Sequence, residues 1–218
     1  MKKLVVSALT TVCFSCFALQ AFSSESCGIS AEEALQKLKS GNKRFVEMKL
    51  KHPDQSTKRR NELTQGQHPF ATILSCSDSR VVDEILFDQG LGDLFVIRNA
   101  GNIIDDHVIG SVEYAIVHAG TKLVVVMGHE NCGAVGATVC HAKESSYIES
   151  IEKAIEPAIK VSKGEGADFA NDVSKNNAKL VVKTLYQNPI ISKCVKEHDV
   201  KIIPAYYNLH TGKVEFLN

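Results

Sequence analysis

Two short stretches of this chain carry side chains that bind soft metal ions. The first is Ser75-Cys76-Ser77-Asp78-Ser79-Arg80 and the second is Gly128-His129-Glu130-Asn131-Cys132-Gly133. Cys76, His129 and Cys132 offer two thiolates and one imidazole, a donor set that suits zinc. Three protein ligands leave the fourth position of a tetrahedral zinc open, as in catalytic rather than structural sites. Asp78 and Arg80 supply a carboxylate and a cation able to pair beside such a metal. H-x-x-C alone is a weak signal in a chain with eight histidines, and a lone buried cysteine is usually an inert small hydrophobe. The two stretches together, each closing an apolar run, outweigh both readings.

Those groups meet only if the right elements carry them. ATILSC (71–76), DLFVIR (93–98) and KLVVVMG (122–128) are continuous β-prone runs, which read as buried strands of a parallel sheet. A helical stretch over about 107–119 separates the second from the third, with Val108, Val112, Ala115, Ile116 and Ala119 along one face. Further helices are expected at about 145–161, 172–187 and 189–198. KIIPAYYN (201–208) and KVEFLN (213–218) read as a final strand pair joined near Thr211-Gly212. Strands alternating with helices predict an α/β fold with a mainly parallel central sheet flanked by helices. In such sheets functional groups gather beyond the carboxyl ends of the strands, so adjacent strands would bring Cys76, His129 and Cys132 to one point. Gly133 would permit a tight turn there, and the helix starting behind it would favour a thiolate at Cys132.

Ahead of this unit, Ser30-Ala31-Glu32-Glu33 is a capping box opening an amphipathic helix over about 31–49, with Gly41 its weak point. Residues 25–64 therefore read as an N-terminal helical arm and 65–218 as the zinc-binding catalytic domain. KHPDQSTKRR (51–60) reads as a solvated connection, because no aromatics interleave its charges. Residues 1–24 have a charged start at Lys2 and Lys3, an apolar stretch to about Leu19, and Ala21 and Ser23 at signal-peptidase spacing. They predict a cleaved export signal and a periplasmic protein with no stable membrane anchor. Cys13-Phe14-Ser15-Cys16 falls inside that segment, so its C-x-x-C spacing is not read as a redox motif.

The composition fits one globular unit: 218 residues, 44% apolar, 23% charged. Lys plus Arg number 25 and Asp plus Glu 25, and that balance argues against nucleic acid as a partner. Of seven cysteines, two belong to the signal and two to the proposed metal set. Cys27, Cys140 and Cys194 remain, and three thiols cannot all pair within one chain. His107, His118, His141, His198 and His210 read as solvent or satisfied core histidines, and Glu130 and Asn131 as turn formers. The C-x₃-R spacing is too short for a cysteine phosphatase loop, and no nucleotide-binding glycine motif is present.

CSDSR followed by HENCG resembles the β-class carbonic anhydrase family. HPFATILSCSDSR, DQGLGDLFVIRNAGN, GSVEYAIVHAG and KLVVVMGHENCGAV each resemble family blocks in the family's order. The resemblance implies one Zn²⁺ per subunit on Cys76, His129 and Cys132. It also implies an Asp78–Arg80 dyad whose aspartate can become the fourth ligand in a closed state. Gln67 falls where the family places a glutamine that contacts substrate, often across a dimer interface. Phe95 and Ala100 fall at apolar pocket positions, and Gly133 at a glycine bordering the site. The implied activity is reversible hydration of CO₂ to bicarbonate and a proton by a homodimer or homotetramer, using the lowered pKa of zinc-bound water. Two anionic thiolates offset the metal's charge, so activity should rise from about pH 6.5 to about 8.5. Some members have a regulatory bicarbonate site needing a tryptophan where this chain has Ile73. With no tryptophan at all, that regulation is not expected, and Arg98 is expected in a structural ion pair. The alternatives are hydrolysis of CS₂ or COS on the same fold, or a non-catalytic zinc- or bicarbonate-binding protein.

Overall fold

A computed structural model describes residues 28–142 and 145–218. The expected signal at 1–24, its C-x-x-C, and Cys27 lie outside them. The helices are α1 (Ala31–Val46), α2 (Thr57–Glu62), α3 (Asp83–Leu86), α4 (Asp106–Val117), α5 (Gly133–Cys140), α6 (Ser146–Ile159), α7 (Gly166–Gln187) and α8 (Pro189–Glu197). The strands are β1 (Ala71–Cys76), β2 (Leu94–Asn99), β3 (Leu123–His129), β4 (Lys201–Tyr207) and β5 (Val214–Phe216). They form one sheet in the order β2-β1-β3-β4-β5, parallel except for β5, which pairs antiparallel with β4. The expected mainly parallel sheet flanked by helices is the observed architecture.

Alternation along the central strands fills both faces. Ile73, Val125, Met127 and Ala205 meet Leu38 of α1 and Phe87 on one face. Leu74, Val124, Val126 and Ile202 meet α4, α7 and α8 through Val112, Ile116, Val181, Leu185 and Ile191 on the other. A fully buried side chain such as Leu38 contributes about 1.5–3 kcal/mol, so each face is anchored by several such contacts.

Several sequence expectations are corrected. α1 stops at Val46 rather than 49, because Met48 turns left-handed (φ 56°) and carries the chain out of the helix. Gly41 is no weak point: a Cβ there would lie 1.7 Å from the Phe87 carbonyl oxygen, so its bare backbone admits the α3 segment. The connection after α1 contains α2, whose N-terminus is capped by the Ser56 hydroxyl accepting from the Arg59 N–H. α7 begins six residues earlier than expected, at Gly166. β2 is only half-buried, unlike β1 and β3, because it is an edge strand with one neighbour. None of the helices among the described residues is long and apolar enough to cross a membrane.

Candidate metal centre

Chain order places β2 on one side of β1 and β3 on the other, so the crevice between β1 and β3 is a topological switch point. The ladder pairs Ser75 with Met127, which sets Cys76 beside the Gly128–His129 end of β3. The chain then turns through Asn131 (φ 50°) and enters α5, with Cys132 as the N-cap residue. Asn131, rather than Gly133, takes the left-handed conformation, so the turn residue expected at 133 sits two positions earlier. Asparagine tolerates that region better than most residues.

These turns gather Cys76 Sγ, Cys132 Sγ and a His129 ring nitrogen so that all lie within 4.8 Å of one another. All three side chains are buried. The His129 Nδ1–H donates to the Glu130 carbonyl at 2.9 Å, leaving Nε2 as the free lone pair. That Nε2 is buried and has no hydrogen-bond partner among the described residues. An orphaned buried acceptor is costly in a native fold, and a metal ion answers it directly. The sulfurs give the same indication. A hydrogen bond from Cys132, with a further one from the Gly101 N–H (3.3 Å from Sγ), holds the Cys76 thiol well below its ordinary range. Cys132 is pushed up, first by that bond to Cys76 and then by burial. Protons alone thus permit one thiolate, whereas a divalent cation between them stabilises both. The donor set fits zinc.

Asp78 and Arg80 close the mouth of this cluster as a bidentate pair. Arg80 Nε donates to Oδ1 at 2.9 Å and Nη2 to Oδ2 at 2.7 Å, and the Arg80 backbone N–H adds a third bond to Oδ1. These bonds, the guanidinium's foremost, hold the Asp78 carboxyl well below the usual range. Asp78 Oδ2 lies 3.9 Å from His129 Nε2, so the carboxylate faces the nitrogen that faces the metal position. Arg80 Nη2 also donates to the Asn131 carbonyl at 3.1 Å, tying the two metal-bearing turns together.

Other expected site residues are more scattered. Gly133 follows Cys132 at the start of α5, and Ala100 is exposed next to Gly101, whose N–H reaches Cys76. Phe95 is four ladder positions before Asn99, the partner of Cys76, and its ring packs on Tyr114 of α4 at 6.1 Å. Gln67 is exposed before β1. Among the described residues Arg98 makes no ion pair; its Nε and Nη2 donate to the carbonyls of Cys76 and Asp78. Cys140 and Cys194 are free thiols.

Some supporting contacts gave no sequence signal. Ser174 of α7 grips His129 from 45 residues away, its hydroxyl accepting from the His129 N–H and donating to its carbonyl. Asn171 accepts from the Asn131 N–H. Glu130, expected only to form a turn, accepts from both Nδ1 and the backbone N–H of His210.

A family model described as carbonic anhydrase matches residues 71–214. A carbonic anhydrase of Mycolicibacterium smegmatis is 39% identical over 84% of this chain and 91% of that protein. Carbonic anhydrase 2 of Mycobacterium tuberculosis is 36% identical over 83% of this chain and 89% of that protein. A β-carbonic anhydrase of Sordaria macrospora, from a study of two tetrameric enzymes, superposes with TM-score 0.70 at 20% identity, covering 85% of this chain and 98% of the other. The Coccomyxa β-carbonic anhydrase, solved with acetazolamide, gives TM-score 0.65 at 26% identity over 72% of this chain and 75% of its own. Sequence and fold agree with the buried cysteine–histidine cluster at the switch point: the chain belongs to the β-class carbonic anhydrases, zinc enzymes.

Proposed function

We propose that this enzyme hydrates CO₂ reversibly to bicarbonate with Cys76, His129 and Cys132 holding one Zn²⁺. The observation that carries the assignment is the buried His129 ring, its Nε2 without a partner among the described residues, gathered with two cysteine sulfurs so that one ring nitrogen and both sulfurs lie within 4.8 Å of one another. Zinc held there would supply the Lewis acidity that makes a water nucleophilic near neutral pH.

The chain's own residues supply order around that chemistry. Arg80 occupies both Asp78 oxygens, which keeps the carboxylate off the metal position and fixes its direction. Oδ2 retains lone-pair capacity to accept a proton-bearing partner, so Asp78 orients the attacking water for the carbon of CO₂. The Gly101 N–H on Cys76 Sγ and the Ser174 grip on His129 keep two of the ligands in place. This Arg80-held arrangement supports the catalytic reading over one in which Asp78 blocks the site.

Gln67 and Phe95 would act as substrate contacts across a homodimer. Within one chain Phe95 lies on the edge strand β2, four ladder positions back from its end, and Gln67 is exposed ahead of β1; a second copy covering that edge would reach both. Residues 1–24 would direct export to the periplasm, and their removal from the secreted protein can be read by mass spectrometry. The decisive experiment measures zinc content and CO₂ hydration for the wild type and Cys76→Ser. Loss of both supports the ligand assignment; retained metal with a retained rate refutes it. COS and CS₂ exchange assays test the alternative substrates.

A further inference from the structure

Asp83 is a fully buried carboxyl that the chemistry above does not use. It opens α3 behind the first metal-bearing strand. Oδ2 accepts from the Ser75 hydroxyl at 2.7 Å, whereas Oδ1 is buried without a partner among the described residues. Ser75 and Arg98 are ladder partners of the parallel β1–β2 pair, so their side chains stand on the same face of the sheet. Arg98 is also the cation acting on Asp83, yet its hydrogen bonds go to the Cys76 and Asp78 carbonyls. Arg98 thus shares a sheet face with the residue bonded to the buried carboxyl, while its own hydrogen bonds hold the loop that carries Asp78.

We propose that Asp83 is a positioning residue whose charge state sets how Arg98 is divided between Asp83 and the Cys76–Asp78 loop. As a neutral acid, Asp83 leaves Arg98 on the two carbonyls, and the loop is held as described. Once ionised, its bare Oδ1 demands a donor, since a buried carboxylate oxygen without one is strongly disfavoured. Arg98 is the cation at hand and shifts part of its hydrogen bonding inward, loosening its hold on the Asp78 carbonyl. Burial pushes the Asp83 carboxyl up to about 7, which puts the exchange at neutral pH. Among the described residues the charged neighbours acting on it are Arg98 from β2 and Glu84 from the same helix. β1 presents only Ser75, and α1, packed on α3, sends Arg44 to Asp88 instead.

The functional consequence rests on the proposed role of Asp78, so the test separates the two. Carboxyl ¹³C and Arg98 Nε–H resonances are followed by NMR in the zinc-loaded enzyme from about pH 5.5 to about 9, with Asp83→Asn for assignment. The Arg98 signal should move with the Asp83 midpoint in the wild type and lose that step in Asp83→Asn at equal zinc content. Ser75→Ala removes a bond that favours the ionised form, so it should carry both midpoints to higher pH together. In kinetics, the ratio of Asp83→Asn to wild-type kcat/KM should change by about tenfold or more across the same midpoint, the worth of one charge-assisted hydrogen bond. An Arg98 resonance that stays still while Asp83 titrates, or a step that survives in Asp83→Asn, overturns the proposal. Arg98 coupling with a pH-independent kinetic ratio would instead refute the role given to Asp78.

Discussion

Cys76 and Cys132 compete for a single negative charge so long as only protons are available, and that competition is the residue-scale mark of a metal site. Cys76 is held down by the bond from Cys132 while Cys132 is pushed up. A serine at 76 removes a soft anionic donor and leaves His129 Nε2 with one sulfur. We expect Cys76→Ser to lose zinc, read by atomic emission, and at least about a hundredfold in kcat/KM, since even supporting contacts around such ligands are worth 10–100-fold. Asp83 makes a separate prediction about stability. Its folded value of about 7 lies above that of an unfolded aspartate, so the native state keeps a proton that the unfolded chain releases. Stability therefore falls as pH rises from the unfolded value to about 7 and is level beyond it. Asp83→Asn lacks that slope. Urea unfolding of the zinc-loaded enzymes should show the variant gaining roughly 3 kcal/mol on the wild type between about pH 4 and about 7. An unchanged difference would mean that Asp83 is ionised throughout.

At the scale of elements, the site depends on how closely α7 approaches β3. A Cβ on Gly128 would lie 2.7 Å from both the carbonyl oxygen and the hydroxyl of Ser174. The carbonyl belongs to a helix backbone and cannot swing aside, so Gly128→Ala must push α7 away from His129. We expect a loss of about 1–3 kcal/mol by thermal or urea unfolding together with weaker zinc retention against a chelator. Ser174→Ala keeps the spacing but strands the buried His129 N–H, so it should cost about 1–3 kcal/mol while leaving the packing intact. None of this was legible in the sequence. The strands and the metal set were, because a run such as ATILSC and a donor pattern such as H-x-x-C are local properties of the chain. Ser174 is one polar residue in a long helix, and its role exists only once the fold has brought it to a strand 45 positions away. The same holds for Gly41, which looks like a helix defect until Phe87 is seen against it. Gly133 misled in the opposite direction, since the turn that glycine usually supplies is taken by Asn131.

At the scale of the whole molecule, the described surface is unfinished along β2. That strand is half-buried although it lies one place from the core of the sheet. Beside it Phe95, Tyr114 and His118 form a run of rings with centroids 6.1 and 5.1 Å apart, and Tyr114 is half exposed. Ile85 and Leu91, from the segment leading into β2, are exposed as well. An unpaired edge with apolar company invites another strand or chain, and the neutral formal charge of the whole sequence sets up no net repulsion between copies. A second copy seated there would cover Phe95 and bring its own Gln67 toward the cluster. Tyr114→Glu places a charge in that contact without touching any zinc donor. We expect it to yield a folded monomer by analytical ultracentrifugation, with zinc retained and CO₂ hydration reduced by at least about tenfold. Should two copies pair there, Gln67→Ala should reduce the rate without changing the mass of the assembly. A monomeric Tyr114→Glu protein of full activity would show that one chain carries a complete site, and the substrate contacts would then have to be sought near Ala100 and Gly133 rather than across the edge.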